Sequence, residues 1–74
     1  MVLELIRYWL CDRLGCEPEE IGLSVSFDEL NVHFGELTEL AVTVGERFGV
    51  EISDEALDTF ATVEDLVGYV EYRL

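Results

Sequence analysis

The side chains able to do covalent or acid–base chemistry are few: one histidine, His33, two cysteines, Cys11 and Cys16, and the serines Ser24, Ser26 and Ser53. A histidine can move a proton near neutral pH, but His33 has no candidate nucleophile near it, and no paired acid and base and no phosphate loop stand out elsewhere. The residues therefore indicate no enzyme. A metal site built from Cys11, Cys16 and His33 would lack a fourth soft ligand and the usual short spacing. The two cysteines lie one helical turn and a little more apart, and spacing alone cannot show whether a bridge would meet the required geometry. Buried or half-buried free thiols are the expectation.

Charge narrows the partners. Seventeen Asp and Glu face four arginines, Arg7, Arg13, Arg47 and Arg73, with no lysine, for a net charge of −13. That balance repels phosphate backbones and anionic lipid, which argues against nucleic acid and membrane surfaces and for the basic surface of a partner protein. The same charge repels itself in the compact state, so salt or a divalent cation should raise the melting temperature. A flat response to sodium chloride and magnesium would refute this.

The elements that must position these residues read as helices. With 74 residues, half of them hydrophobic, the chain is one small folded domain, residues 1–74, in which a single core seldom supplies more than roughly 3 to 5 kcal/mol of net stability. Val2, Leu3, Ile6, Trp9, Leu10 and Leu14 recur at helical spacing before Gly15, which predicts a first helix over 2–14. Glu4, Arg7, Asp12 and Arg13 interrupt that apolar run, unlike a signal peptide or a membrane span, and a cytoplasmic protein is expected. Pro18 with Glu19 and Glu20 suits a short helical piece. Periodicity then disappears over 22–31, where Phe27 and Leu30 are the anchors of a long ordered loop. Leu23 to Phe27 alternate like a strand, but the sequence offers them no pairing partner.

The stretch Val32 to Phe48 dominates the chain. Leu37, Leu40, Ala41, Val44 and Phe48 form one apolar stripe, Glu36, Glu39, Thr43, Glu46 and Arg47 fall on the other side, and Gly49 supplies the stop. Val50-Glu51-Ile52 connects to a short helix predicted over 54–59 behind Ser53. Thr62 and Asp65 make a capping box, and Val63, Leu66, Val67, Val70 and Leu74 give the stripe of the last helix. The fold class is all-α, a four-helix bundle with a long first loop and a short third helix.

The order Phe27-Asp28-Glu29-Leu30, Glu39-Leu40, Phe48-Gly49-Val50-Glu51-Ile52, Ser53-Asp54-Glu55 and Thr62-Val63-Glu64-Asp65-Leu66 resembles the acyl carrier proteins and related thiolation domains over nearly the whole chain. In that family an acidic helix ends in a Phe-Gly-Ile-Glu-Ile pattern, followed by a short helix and then Thr-Val opening the final one. The resemblance implies an acyl-carrier-protein-like bundle. It also implies an attachment site, since the family carries Asp-Ser-Leu at the start of the second helix and esterifies the serine to phosphopantetheine, whose thiol bears the acyl group.

Here those positions read His33, Phe34 and Gly35. A phenyl ring has no oxygen to esterify, and Ser24 and Ser26 both lie before Phe27, so at this departure from the family pattern no attached cofactor is expected. Phe34 either turns inward as core or stays exposed as an aromatic anchor beside Glu36 and Glu39. His33 is expected as a solvated or capping residue at the docking end. By resemblance, Glu36, Glu39 and Glu46 face basic patches of partner enzymes, while Gly45 interrupts that acidic run and costs the helix about 1 kcal/mol relative to alanine. The expected function is a non-acylated docking partner in fatty-acid, polyketide or peptide assembly. The alternative is a carrier modified at an unexpected residue, and the oligomeric state stays open.

Overall fold

Val2, Ile6 and Leu10 recur every fourth residue, and the helix they define, α1 (Val2–Leu14), turns all three into the interior. The structure, a computed structural model describing residues 1–74, continues through a 3-10 turn at Pro18–Glu20 to α2 (Phe34–Phe48), α3 (Asp54–Leu57) and α4 (Val63–Arg73). It has four α-helices and no strand. α1 packs on both α2 and α4, and α2 also meets α3 and α4. Ile6, Leu10, Leu40, Val44, Leu66 and Val70 are sealed from solvent at the centre.

The apolar stripe of α2 lies where its spacing puts it, with Leu37, Leu40, Ala41 and Val44 buried and Phe48 half-buried against the same core. Gly45 is buried too. A Cβ there would stand 2.5 Å from the Val50 carbonyl oxygen, and the Val50 N–H donates to the Gly45 carbonyl at 2.9 Å. The missing side chain lets the connector fold tightly under α2, so this glycine is a packing position, and the helix-propensity loss of about 1 kcal/mol secures that approach.

The loop before α2 departs from expectation in one respect. Phe27 is buried and Leu30 half-buried, as predicted, but residues 23–27 do find a partner: Ser26 forms an isolated antiparallel bridge with Thr62. Phe27 N–H donates to the Ala61 carbonyl at 2.9 Å, Val63 N–H to Val25 at 3.0 Å, and Glu64 N–H to Leu23 at 2.9 Å. The partner is no strand but the opening of α4, whose first amides have no acceptor within their own helix. Arg7 adds a second tether, its Nε donating to the Ile21 carbonyl at 2.7 Å.

Two boundaries also differ. α3 ends at Leu57 instead of continuing to 59, and the Thr59 hydroxyl donates to the Ala56 carbonyl at 2.7 Å, a side-chain bond that competes with helix continuation. Leu74 is exposed and not part of the α4 stripe, because it lies past Arg73, the last helical residue.

Candidate functional site

Successive steps of four residues place Phe34, Thr38, Val42 and Glu46 on a line that winds round α2 by about 40° per step, from the flank of the buried stripe at Phe34 to the side opposite it at Glu46. Phe34 is the first residue of the helix and 53% exposed, so it is not core. Val42, 54% exposed, continues the apolar character along the same line, and Glu46 is exposed at its end. Sequence reasoning passed over Val42. Its signal was an apolar side chain falling off the stripe that Leu40, Ala41 and Val44 define.

The remaining predicted residues lie around this line without all joining it. His33 precedes the helix in an extended conformation and is exposed, and its N–H donates to Glu36 Oε1 at 3.2 Å. Glu36 is thereby drawn back to the cap, half-buried, on a different side of α2 from Val42. Glu39 flanks the line and is exposed, but Arg13 Nη2 holds its Oε2 at 2.9 Å, and the Arg13 guanidinium also stacks 4.3 Å over the Trp9 ring. An exposed pair of this kind adds little stability, yet it offsets one acidic charge of the face and leaves Glu46 as its freest carboxylate. A shallow groove beside Gly45, lined by Val42, Glu46, Val50 and Ile52, adjoins the far end of the line.

Attachment of a phosphopantetheine arm requires an oxygen nucleophile, and the α2 tip presents an imidazole, a phenyl ring and a glycine. The first hydroxyl in the helix, that of Thr38, lies one turn in, half-buried, and donates to the Phe34 carbonyl at 2.9 Å. Ser26 Oγ accepts from the Glu29 N–H at 3.0 Å in the loop, and Ser53 Oγ accepts from Ala56 N–H at 3.2 Å as the cap of α3. The residues at the α2 tip do not fit the group.

Two titrating groups are shifted, and neither belongs to this face. Asp65 is held below the usual aspartate range by the Ala61 and Thr62 amides that its carboxylate accepts, at 2.8 and 3.0 Å. Burial, reinforced by the bond from Cys16, pushes the Cys11 thiol up. No group of three or more metal-ligating side chains comes together, and no helix is long and apolar enough to cross a membrane.

A small all-α bundle whose second helix opens on an exposed tip and carries acids outward is the architecture expected of carrier domains. The family model described as "Phosphopantetheine attachment site" matches residues 4–70, and the chain belongs to that family. It is similar to the acyl carrier protein of Chlamydia trachomatis serovar D, 37% identical over 69 residues, covering 92% of this chain and 90% of the relative. The acyl carrier protein of Zymomonas mobilis is 35% identical over 69 residues, covering 92% and 88% of the two chains. That of Solidesulfovibrio magneticus is 35% identical over 73 residues, covering 97% and 94%. Acyl carrier proteins are carriers, and this member of their family is not an enzyme.

Proposed function

We propose that this chain is an acyl-carrier-protein-like docking protein that carries no phosphopantetheine and works by presenting α2 to a basic surface of a partner protein. The observation that carries the reading is Phe34 at the first position of α2, exposed, with Val42 and Glu46 exposed further along the helix and no hydroxyl at the tip. Phenyl and isopropyl groups supply apolar contact, and the acids around them supply a charged rim. Glu46 and Glu39 steer the approach of a basic partner, raising the association rate more than the affinity, with His33 at the cap end of the footprint and Glu36 at its edge, round the side of the helix. The family membership makes a partner from fatty-acid, polyketide or peptide assembly the natural one, and the interrupted apolar run of α1 suits a cytoplasmic setting.

Intact-mass measurement after incubation with coenzyme A and a promiscuous phosphopantetheinyl transferase tests the first half. An unchanged mass is expected, and an adduct at any residue would overturn the reading in favour of a carrier modified at a non-standard position. For the second half, a purified basic partner enzyme of acyl-chain assembly should bind the wild type and lose about tenfold in affinity to Phe34→Ala, the scale of an aromatic anchor. Equal binding by the two proteins would remove Phe34 from the interface.

A further inference from the structure

α1 closes on Gly15, whose backbone lies in the left-handed region at φ 71° and whose N–H donates to the Cys11 carbonyl at 2.9 Å. Such a cap turns the chain back against the last turn of the helix, and an apolar contact between the residue after the glycine and one a turn earlier ordinarily accompanies it. In this chain both contacting side chains are thiols. The Cys16 S–H donates to Cys11 Sγ with the sulfurs 3.7 Å apart, and both residues are half-buried, so a small reagent can reach them. A disulfide needs its sulfurs about 2.05 Å apart, so the two side chains must turn towards each other from the contact that the cap already gives them.

We propose that Cys11 and Cys16 are an intramolecular redox pair, closed to a disulfide by exchange with a low-molecular-weight disulfide of the glutathione type. One cysteine, as thiolate, attacks a sulfur of the small disulfide. Its S–S bond breaks, a mixed disulfide forms on the protein, and one small thiol leaves with the first proton. The second cysteine then attacks the protein sulfur of the mixed disulfide, forming the Cys11–Cys16 bond and releasing the second small thiol with the second proton. Two protein thiols are oxidised and one small disulfide is reduced to two thiols, so atoms and electrons balance.

The location gives the bond a consequence. Arg13 lies inside the five-residue step between the cysteines and is the α1 residue that grips Glu39 of α2. Closing the pair fixes the turn that carries this arginine. Desolvation of Cys11 favours its protonated thiol, so Cys11 is the slower of the two to act as the attacking thiolate.

The test takes the full reduced chain, natively folded, with oxidised glutathione at neutral pH, followed by alkylation, intact-mass measurement and peptide mapping. Expected is a monomer lighter by two hydrogens, a linked fragment containing both cysteines, and a melting temperature higher by about 5 to 10 °C. Cys16→Ser should stop at the glutathione adduct. A wild type that also accumulates the adduct, that links only between molecules, that remains fully alkylatable, or whose oxidised monomer melts below the reduced one would overturn the proposal.

Discussion

At the start of α4 the amides of Val63 and Glu64 donate to loop carbonyls, the Thr62 hydroxyl accepts from Asp65, and the Asp65 carboxylate accepts from Ala61 and Thr62. At the start of α2 the amides of Phe34 and Gly35 meet no protein acceptor, and the cap is confined to a box between His33 and Glu36, in which the His33 N–H donates to Glu36 Oε1. Behind the first tip Val63 and Leu66 are sealed in the core, while the second begins with an exposed phenyl ring. The same element, a helix N-terminus, is used once to lock the bundle and once as open surface. An exposed aromatic residue at such a tip contributes little to folding, in keeping with the docking role proposed for it.

The comparison breaks most plainly in the core behind each tip. Leu66→Ala, in the first turn of α4, should cost about 2 to 5 kcal/mol, comparable to the whole net stability of a domain this small, and thermal denaturation should show a largely unfolded population near room temperature. A cooperative melt close to that of the wild type would mean the α4 tip is not the lock described. Thr62→Ala removes one cap bond and should cost about 1 kcal/mol by chemical denaturation.

Acid sharpens the same contrast. Because the folded-state pKa of Asp65 is lowered, its contribution to stability is complete above the unfolded aspartate value near about 4 and is lost as the pH falls through the lower folded value. The melting-temperature gap between the wild type and Asp65→Asn should therefore be widest near neutrality and close below that range. A gap that stays constant to pH 2 would sever the link to the carboxylate. Smallest of all should be the effect at the other tip: Phe34→Ser is expected to change stability by no more than about 0.5 kcal/mol. A loss of several times that in a urea titration would show the ring to be structural.

Much of this was legible in the sequence because it rests on local rules. The spacing of Val2, Ile6 and Leu10 gave α1 its inner face, Leu37 through Val44 did the same for α2, and Thr62 with Asp65 announced the capping box. What escaped depends on contacts between distant segments. Gly45 read as a gap in an acidic face until the Val50 carbonyl was found against it. The bridge from Ser26 to Thr62 joins a loop to a helix cap, a pairing that alternation alone does not encode. Glu39 read as a free acid, whereas Arg13, on another helix, already engages it. The orientation of Phe34 was undecidable because a ring at a helix start can pack or protrude with the same neighbours in sequence.

The clasp between residues 23–27 and 61–64 joins segments separated by all of α2 and α3, so its closure requires most of the chain to be gathered first. The stretch from Gly22 to Val32 is therefore held from two directions, by these bonds to the opening of α4 and by Phe27, which is buried in the core between the helices. Because that stretch leads directly into His33 and Phe34, the bonds that fix it also fix the segment from which the aromatic ring projects.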